Sequence, residues 1–391
     1  MKRVLSLATL YPNAARPTFG TFVARQMEAL AARDDWAVTV VNPIGTPPLA
    51  LGRYADLARA AVDGSENGVT VLRPRFALAP ALSARWNPTL IARAVLPLAR
   101  RLHAAEPFDI VDAQFFWPDG PAAAAIARAL GLPLSIKARG ADIHHWGAQG
   151  FARRRMLDAA GQAEGLLAVS QALKSDMVAL GMRAEGIAVH YTGIDRLRFH
   201  PRDKVQARTD VAARFGIPAE GPLLATVGAL IPRKGQALTM RALAMLGGET
   251  QLAVVGAGPD EAMLRRLAAE LGVAARVHFL GAVGHAALPE LLAASDAMVL
   301  PSASEGLANA WIEALACGTP IVICDAGGAR EVVTRPQAGR IASRDPEAIA
   351  AAVEEVLASG YAPDEVARTV AGFSWEANAA ALAAHYERML V

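Results

Sequence analysis

Two glutamates separated by seven residues lie in the segment of the chain that is richest in chemistry-bearing side chains. Glu305 is followed by Gly306, and a helical pattern that contains Glu313 runs from about residue 307 to residue 316. The N-terminus of such a helix presents free N–H groups and a partial positive charge that can bind a phosphate, and a glycine lets the backbone approach it closely. Glu313 then lies within reach of ribose hydroxyls, and Glu305 within reach of a sugar. The spacing alone is equally typical of a structural strand–helix junction that carries two surface glutamates.

Two adjacent cations follow another strand pattern. Arg233 and Lys234 lie in GALIPRKGQ, residues 228–236, a loop that leads from a strand into a helix. A guanidinium and an ammonium group side by side at the C-terminal end of a strand can neutralise a diphosphate leaving group. One such pair is typical of a solvated loop, but a second anion-binding strand end in the same sheet favours a ligand site.

Glycine turns follow several strand patterns, and we count Gly228 and Gly256 among the candidate donor-binding residues. Gly228 opens the loop with the two cations, and Gly256 lies in VVGAGPD, residues 254–260. Each turn is weak evidence by itself, because such turns are common where a strand leads into a helix. Gly256 and Gly258 do not complete a G-x-G-x-x-G fingerprint, which disfavours an NAD-dependent dehydrogenase.

Short apolar runs alternate with longer helical patterns along nearly the whole chain. Unbroken apolar strands that alternate with helices are typical of parallel sheets covered on both faces, so the sequence predicts an α/β fold. The predicted strands are residues 4–8, 37–42, 68–73, 110–113, 134–137, 165–169, 187–190, 223–227, 251–255, 277–280, 297–300, 320–324 and 339–342.

A break in this alternation at residues 192–201 predicts a boundary between two domains. The segment TGIDRLRFHP carries Gly, Pro and charges where a strand pattern ends, and a new strand–helix series follows it. A chain of 391 residues is also too long for one compact core. We therefore expect one domain over residues 1–196 and a second over residues 197–373.

Composition and charge exclude some classes of protein. The chain is 53% hydrophobic and 19% charged, which excludes an intrinsically disordered chain. Cys317 and Cys324 lie in apolar runs without metal-ligand spacing, so we expect buried thiols. Residues 1–196 carry 22 Lys and Arg against 16 Asp and Glu. This balance suits an anionic partner such as a phosphate-bearing acceptor or a membrane surface, and a solvated surface with chance asymmetry explains it equally well. No basic tract is interleaved with aromatic residues, so we expect no nucleic-acid partner.

Residues 223–333 resemble the nucleotide-binding half of the family-four retaining glycosyltransferases. The shared marks are a strand followed by Gly-x5-Lys-Gly, VVGxGP, FLGxV, the two glutamates with seven residues between them, and CGTPIV followed by GGxxE. The front half resembles the polysaccharide and teichuronic-acid biosynthesis members in LYPNAARPTFGTFVARQMEALA, KARGADIH and VSQALKSDMVALG. The resemblance covers nearly the whole chain. It implies the GT-B fold, in which two Rossmann-like domains with parallel sheets face each other across a cleft.

The resemblance also implies an activity. It implies a retaining glycosyltransferase that moves a sugar from a UDP- or GDP-linked donor to a glycan or a lipid-linked glycan, in bacterial envelope polysaccharide biosynthesis. The donor would bind the C-terminal domain and the acceptor the N-terminal domain, on which a final helix, residues 374–391, would pack back. We expect a cytoplasmic enzyme that can work at the inner face of the cell membrane.

Matching positions in the family give roles to the charged residues. By resemblance, Arg233 and Lys234 would hold the diphosphate, and Glu313 would hold the ribose. Glu305 would contact the donor sugar or stabilise the positive charge that develops on its ring. In the family's mechanism the leaving diphosphate helps to deprotonate the acceptor hydroxyl, so no pair of catalytic carboxylates is needed.

Further positions would contact the donor mainly through the backbone. Beside Gly306, the N–H groups of Leu307 and Ala308 would help to hold the distal phosphate or the sugar. The backbone near Val283 would meet the base. Gly20, in the first strand–helix loop, would let the front domain approach the phosphates.

The chain departs from the family at one motif of the front domain. Many relatives carry His-Gly-x-Asp where this chain has Arg139 and Asp142, and that histidine usually approaches the donor sugar. An arginine cannot act as a general base at neutral pH, but it can bind a hydroxyl, a carboxylate or a phosphate. Asp142 is expected to stay available for catalysis. His144 and His145 follow, and lone histidines are more often structural or exposed than catalytic.

We expect no metal and no cofactor. The chain has no Asp-x-Asp motif where Mg²⁺ would be held, so Arg233 and Lys234 would replace the metal. A nucleotide-sugar epimerase or a phosphorylase of the same architecture stays open as an alternative, although no lysine has a convincing context for pyridoxal phosphate. A non-catalytic nucleotide-sugar-binding relative is a further alternative. The arginine at position 139 is compatible with a non-catalytic relative. The four charged residues at 233, 234, 305 and 313 argue against one, because an inactive protein has little need for them.

A membrane contact is a further expectation. Residues 82–102 combine apolar side chains with Arg85, Arg93, Arg100 and Arg101, a pattern that can dock on an anionic lipid surface. An ordinary helix packed on the front sheet is the simpler interpretation. The chain has no run of about eighteen apolar residues, so we expect no transmembrane helix.

Overall fold

The chain forms two compact units. The computed structural model describes residues 1–80, 82–284 and 287–390. The first unit comprises residues 1–193 together with residues 375–391, and the second comprises residues 194–374. Val391, the last residue of the predicted C-terminal helix, lies outside the described residues.

A mainly parallel sheet is the centre of the first unit. The strands of this unit are β1 (Lys2–Leu7), β2 (Trp36–Val41), β3 (Ile44–Thr46), β4 (Gly64–Glu66), β5 (Val69–Leu72), β6 (Arg75–Ala77), β7 (Ile110–Ala113), β8 (Leu134–Ala138), β9 (Gly165–Ala168) and β10 (Ile187–Val189). Over the described residues the sheet has eight strands in the order β10-β9-β8-β7-β1-β2-β5-β4, and β4 runs antiparallel to β5. The strands β3 and β6 pair separately. Every residue of β7, β8 and β9 is buried, as expected for central strands covered on both faces, although Asp112 and Lys137 interrupt the apolar runs of β7 and β8.

Helices pack against this sheet, and one of them comes from the end of the chain. The helices of the first unit are α1 (Thr21–Ala31), α2 (Arg53–Arg59), α3 (Asn87–Ala105), α4 (Asp119–Leu130), α5 (Gly150–Ala160), α6 (Gln171–Leu180) and α15 (Trp375–Met389). Tyr386 of α15 is fully buried, with its ring centroid 5.3 Å from that of Trp36. The final helix is therefore part of the core of the first unit.

A fully parallel sheet forms the second unit. Its strands are β11 (Leu223–Val227), β12 (Gln251–Val255), β13 (Val277–Gly281), β14 (Ala297–Leu300), β15 (Ile321–Cys324) and β16 (Gly339–Ala342), in the order β13-β12-β11-β14-β15-β16 over the described residues. Its helices are α7 (Lys204–Phe215), α8 (Gln236–Met245), α9 (Glu261–Glu270), α10 (Leu288–Ala294), α11 (Asn309–Ala316), α12 (Ala329–Val332), α13 (Pro346–Ala358) and α14 (Pro363–Arg368).

Each sheet has one point at which the strand order reverses. In the second unit β11 lies between β12 and β14, and in the first unit β1 lies between β2 and β7. The chain leaves the two neighbouring strands at such a point in opposite directions, so their C-terminal loops bracket a crevice in which open α/β sheets bind ligands. The loops after β11 and β14, and those after β1 and β7, therefore lie where a ligand is expected to bind.

The predicted α/β fold is confirmed, with differences at the ends of elements. Every predicted strand overlaps an observed one, and their ends differ by at most two residues. The helix expected from about residue 307 begins at Asn309, because Ala308 is still extended, with ψ 121°. Strands β3, β4 and β6 were not predicted; each has three residues, too few for a hydrophobic period. Among the described helices, none combines the length and the apolar character that a membrane crossing requires.

Candidate functional site

Two loops of the second unit meet at its reversal point. One follows β11, and the other follows β14 and leads to α11. The N–H of Ala303, in the second loop, donates to the carbonyl oxygen of Arg233, in the first, at 2.8 Å. The structure thus brings together Arg233, Lys234 and Glu305, although Lys234 and Glu305 are 71 residues apart along the chain.

An ion cluster joins the side chains of these two loops. The Nζ of Lys234 donates to Oε1 of Glu305 at 2.5 Å, and Nη1 of Arg233 lies 3.3 Å from Oε2. The side chain of Glu305 is 8% exposed, that of Lys234 is 14% exposed and that of Arg233 is 41% exposed. Two cations against one carboxylate leave a positive charge at the surface of the cluster, which suits a phosphate-bearing ligand.

Glycines let the backbone of the two loops approach closely. Gly235 has φ +78°, and a Cβ there would lie 2.4 Å from the carbonyl oxygen of Pro301. Gly327 has φ +53°, and a Cβ there would lie 2.2 Å from the carbonyl oxygen of Glu305. A side chain at either position would combine an unfavourable backbone conformation with a clash against backbone. These glycines therefore hold the backbone next to Lys234 and under Glu305 in place.

The candidates Gly228 and Gly256 lie against each other. The N–H of Gly228 donates to Val255 at 2.9 Å, and a Cβ on Gly256 would lie 1.9 Å from the carbonyl oxygen of Gly228. A Cβ on Gly228 would lie 3.7 Å from the aliphatic chain of Lys234. The two glycine turns are therefore part of the support of Lys234, and their contact with a donor stays a prediction.

Glu313 is one turn inside α11, beyond the buried turn at residues 306–308. This turn holds the predicted Gly306, Leu307 and Ala308, and it links Glu305 directly to the helix. The side chain of Glu313 is partly exposed, and burial raises its pKa to about 7. A carboxyl group in this setting titrates near neutral pH.

Val283 lies half-buried in the loop that follows β13, on the far side of β12 from the ion cluster. The contact expected between its backbone and the base stays a prediction.

Gly20 lies at the reversal point of the first unit, directly before α1. It has φ +73°, and a Cβ there would lie 2.5 Å from the carbonyl carbon of Leu10. The long loop after β1 therefore folds back onto its own start at Gly20. This close packing alone requires a glycine, and the expected approach of a ligand stays a prediction.

Arg139 follows β8 and reaches across to the loop that follows β7. Its Nε donates to the carbonyl oxygen of Gln114 at 2.8 Å, and its Nη2 donates to Oε1 of the same residue at 2.5 Å. The guanidinium carbon lies 4.8 Å from the ring centroid of Phe22. Burial lowers the pKa of Arg139 to about 10, and the charge of Asp142 opposes this shift. Arg139 is thus a charged, well-positioned donor that is half-buried.

The expectation that Asp142 is available to a substrate does not fit the structure. Its side chain is 0% exposed, and its carboxylate accepts the N–H groups of Phe116 at 2.8 Å, Arg139 at 3.0 Å and Gly140 at 2.9 Å. A carboxylate occupied in this way has no free oxygen for a sugar. Asp142 instead joins the loops after β7 and β8 and so positions Arg139.

The two histidines that follow lie in a short π-helical turn, Asp142–Trp146. The Nε2 of His144 is 2.9 Å from an oxygen of Asp176. His145 is exposed, with its ring centroid 5.0 Å from that of Trp146.

The sequence analysis did not identify three polar residues that support Arg139. Lys137, Gln26 and Gln114 are each at most 1% exposed and are hydrogen-bonded to one another or to Arg139. The available signal was Lys137 itself, a charged residue inside the otherwise apolar strand pattern LSIKA. Charged residues are almost never fully buried without partners, so this lysine marked a polar network.

No group of three or more His, Cys, Asp or Glu side chains suited to a metal ion occurs in the described part of the chain. In the ion cluster, the positive charges available to an anion come from Arg233 and Lys234.

Two family models match the chain. The model for glycosyl transferases group 1 matches residues 208–371, and the model for Glycosyltransferase Family 4 matches residues 20–198. The first therefore covers β11 to β16 with the ion cluster, and the second covers most of the first unit.

Curated relatives include proteins of cell-envelope biosynthesis. The chain is 26% identical over 400 residues to a protein of Bacillus subtilis named as the teichuronic acid biosynthesis glycosyltransferase TuaC, with 98% of each chain covered. It is 36% identical over 194 residues to the GDP-mannose-dependent alpha-(1-6)-phosphatidylinositol monomannoside mannosyltransferase of Mycolicibacterium smegmatis. That match covers 47% of this chain and 50% of the relative.

Solved structures share the fold along the whole chain. HepE of Anabaena in complex with UDP superposes with a TM-score of 0.76 at 21% identity, covering 99% of this chain and 100% of that one. Sucrose-phosphate synthase from Thermosynechococcus elongatus superposes with a TM-score of 0.79 at 20% identity, covering 99% of both chains.

Proposed function

This chain is a glycosyltransferase of the group 1 and family 4 type with the GT-B fold, and on that premise we propose that it is a retaining, metal-independent enzyme. Its donor is a nucleotide-diphosphate sugar held by the second unit, and its acceptor is a glycan or lipid-linked glycan held by the first unit. The pathway is the synthesis of a bacterial envelope polysaccharide.

The ion cluster of Arg233, Lys234 and Glu305 is the observation that carries this proposal. Leaving-group departure puts negative charge on a diphosphate, and preorganised cations stabilise that charge in the transition state. Glu305 holds the ammonium group of Lys234 in place before any ligand arrives. Arg233 is the more exposed cation, and Glu305 and the carbonyl oxygen of Ser304 hold it; in the proposal it binds the distal phosphate.

The remaining donor contacts follow from position. Glu313 accepts hydrogen bonds from the ribose hydroxyls, and the N–H groups at residues 306–308 contact the distal phosphate or the sugar. The backbone near Val283 meets the base. In the proposal Glu305, next to this turn, also contacts the sugar or stabilises the positive charge that develops on its ring.

Retention is the stereochemistry that the family resemblance implies, and in this proposal it needs no separate protein base. The oxygen of the departing diphosphate takes the proton of the attacking acceptor hydroxyl on the same face of the sugar. The enzyme then supplies positioning and charge stabilisation. Arg139 contributes a hydrogen-bond donor to the sugar or to an anionic group of the substrate.

UDP-glucose and GDP-mannose are the first donors to test, because similar proteins bind or use them. One solved structure of HepE holds UDP-glucose, and the mannosyltransferase relative is GDP-mannose-dependent. The experiment is slow hydrolysis of each donor by the purified protein in EDTA, followed by proton NMR of the anomeric signal. We expect release of one nucleoside diphosphate and an α-configured sugar as the first product. Turnover that needs added Mg²⁺ or Mn²⁺ would overturn the metal independence of the proposed enzyme. A β-configured first product would overturn the proposed retention of configuration.

We also propose a peripheral membrane contact through a basic–aromatic surface of the first unit, formed by Arg85, Trp86, Phe151, Arg154 and Arg155. These residues line an open cavity of about 410 Å³ in which every charged side chain is an arginine. Trp86 is 45% exposed and Phe151 is 41% exposed, and the guanidinium of Arg85 lies 3.9 Å from the ring centroid of Trp86. Arginines interleaved with exposed rings suit an anionic lipid surface.

Vesicle co-sedimentation tests this contact. Wild-type protein should sediment with vesicles that contain phosphatidylglycerol and not with pure phosphatidylcholine, and the variant Arg85→Glu/Arg154→Glu should lose most of the binding. A control is Arg53→Glu, because Arg53 also lies against an aromatic ring, 5.0 Å from the centroid of the partly exposed Tyr54. Absence of wild-type binding at low salt, or equal loss in both variants, would contradict the assignment.

A further inference from the structure

A relay of buried, hydrogen-bonded polar side chains connects Arg139 to the final helix of the first unit. Its members are Lys137, Gln26 and Gln114, together with His190, which is 3% exposed. They come from β8, α1 and the ends of β7 and β10. The last hydrogen bond of the relay is to the backbone of Asn378 in α15. A fully satisfied polar chain in a core rigidifies its surroundings, whereas a partly satisfied one is costly.

The direction of each hydrogen bond in this relay is determined from its far end. The Nε2 of His190 is 2.9 Å from the carbonyl oxygen of Asn378, which can only accept, so Nε2 carries the hydrogen. The Nδ1 of His190 is then an acceptor, and Nζ of Lys137 donates to it at 2.6 Å. A second N–H of Lys137 donates to Oε1 of Gln26 at 2.8 Å.

The donation from Lys137 fixes the orientation of two amide groups. Because Oε1 of Gln26 accepts from Lys137, its Nε2 is the atom that donates to Oε1 of Gln114, at 2.9 Å. The Nε2 of Gln114 donates in turn to Oδ2 of Asp112 at 2.5 Å. Oε1 of Gln114 therefore faces Arg139 and accepts from its guanidinium. With Gln114 reversed, Arg139 would meet an N–H donor. Reversal of Gln26 would do the same at the longer contact of Arg139 Nη2 with Oε1 of Gln26, 3.4 Å.

The contacts of Lys137 suit a neutral amine. Its two acceptors are an amide oxygen and a ring nitrogen, both uncharged, and a neutral amine has two N–H groups to donate. Burial lowers the pKa of Lys137 well below its ordinary value, and the charge of Arg139 acts in the same direction. A buried ammonium paired only with neutral groups would be strongly unfavourable.

We propose that Lys137 is a positioning residue that sets the amide orientation of Gln26 and Gln114, so that Gln114 holds the guanidinium of Arg139 at the substrate. The inference rests on the proposed role of Arg139. It adds that Arg139, which stands where many relatives carry a histidine, needs this relay to hold its guanidinium in position. The relay also ties the position of Arg139 to α15, through His190 and the carbonyl group of Asn378.

The test is a double-mutant cycle on hydrolysis of UDP-glucose and GDP-mannose. The variants are Lys137→Met, Arg139→Met and the combination. We expect Lys137→Met to lower kcat by roughly tenfold to a hundredfold, since small misplacements of a catalytic group have effects of this size. The donor KM should change by less than about twofold, because the donor binds the second unit. In the Arg139→Met background the Lys137 substitution should lower kcat no further. A purely structural role would give the same loss in both backgrounds.

Control variants keep the test interpretable. Ser135→Ala removes a fully buried hydroxyl from the same strand, bonded to His385 at 3.1 Å and outside the relay, and should keep kcat. If Lys137→Met does not fold, Gln26→Met breaks the next link and should show the same cycle. A crystal structure of the variant adds a readout that needs no activity, because the Arg139 guanidinium should have left Oε1 of Gln114.

The outcomes separate the two proposals. A wild-type protein that hydrolyses neither donor overturns the proposed function. An Arg139→Met variant with full turnover keeps that function but overturns the role of Arg139 and the positioning proposal that rests on it. An Arg139-dependent enzyme in which Lys137→Met keeps kcat and the Arg139 position overturns the positioning proposal alone.

Discussion

The ammonium group of Lys234 lies 2.5 Å from a carboxylate oxygen of Glu305, in a pair whose members are both at most 14% exposed. A nearly buried charge is tolerated when a partner compensates it, so each residue holds the other in the free protein. An arriving diphosphate meets an ammonium group whose position is already fixed. The arrangement therefore preorganises the site before the ligand binds.

Replacement of Lys234 by alanine should weaken nucleotide binding and lower turnover while the fold stays intact. The variant loses a cation from the diphosphate site and leaves Glu305 with Arg233 alone, at 3.3 Å. We expect a cost of about 1–3 kcal/mol in the free energy of unfolding, the usual penalty for removing one partner of a buried polar pair. Calorimetric titration with UDP and GDP, and thermal unfolding, measure both effects.

Lys204→Ala is the matched control for this variant. Lys204 contacts Asp296 at 2.6 Å, and Asp296 keeps Arg208 as a second cationic partner, as Glu305 keeps Arg233. The control lies in the same unit and should keep nucleotide affinity. Equal affinity losses in both variants, or full activity of Lys234→Ala, would contradict the role of Lys234.

The titration of Glu313 should make nucleotide binding depend on pH. Its pKa is raised from 4.5 to about 7 by burial. The folded protein therefore binds more protons than the unfolded chain over this interval, and its free energy of unfolding falls as the pH rises from about 4.5 to about 7. Hydroxyl donors from the ribose favour the ionised carboxylate, so the affinity for UDP or GDP should rise between pH 6 and pH 8.

Glu313→Gln separates this effect from the titration of the nucleotide's own phosphate. The variant should bind the nucleotide more weakly at pH 8, and its affinity should rise less between pH 6 and pH 8. At pH 8 the free variant should be more stable than the wild type, by at most about 3 kcal/mol, since one pKa unit corresponds to ~1.4 kcal/mol. If the affinity for the nucleotide depended on pH identically in the two proteins, the contact between Glu313 and the ribose would be contradicted.

Gly327→Ala should lower turnover more than its loss of stability explains. The new Cβ would lie 2.2 Å from the carbonyl oxygen of Glu305 and would push the backbone of that residue. Gly216→Ala is a suitable comparison, because Gly216 has a similar backbone, with φ +69°, and has nothing within 4 Å of the Cβ position. Both variants should lose about 1–3 kcal/mol of stability from the left-handed conformation. Only Gly327→Ala should lose donor turnover, and equal kcat values would show that Glu305 tolerates displacement.

Asp142→Asn should lower the melting temperature and leave nucleotide affinity unchanged. An amide oxygen replaces only part of the carboxylate that accepts the N–H groups of Phe116, Arg139 and Gly140. The remaining NH₂ group would face backbone donors, so we expect a cost of about 1–3 kcal/mol. Thermal unfolding with and without UDP or GDP measures this. A variant with wild-type stability and no turnover would instead restore a direct catalytic role for Asp142.

The sequence predicts the fold well because apolar strands carry a strong local signal. Strands such as 110–113, 251–255 and 297–300 are recovered with their observed ends, since each is buried along its whole length. The start of α11 is missed by two residues, because the turn at residues 307–308 is as apolar as the helix that follows. The order of the strands within each sheet has no such local signal, and it depends on contacts between distant segments.

The candidate site is predicted less completely. Residue type and strand-end position are enough to single out Arg233, Lys234, Glu305 and Glu313. The sequence does not show that Glu305 pairs with Lys234, nor that the carboxylate of Asp142 is occupied by backbone N–H groups. Both depend on how loops from neighbouring strands meet. The relay behind Arg139 is missed for the same reason, since it joins side chains that are up to 111 residues apart.

Binding of a nucleoside diphosphate shows whether Lys234 holds the diphosphate of the donor. The measurement is thermal unfolding of the wild-type protein and of Lys234→Ala with UDP, GDP, ADP and NAD, each in EDTA. A ligand that binds only the folded state raises the melting temperature. The account predicts that UDP or GDP stabilises the wild type without a metal and that Lys234→Ala loses most of this shift. Stabilisation by NAD alone, or a nucleotide shift that survives unchanged in Lys234→Ala, would contradict it.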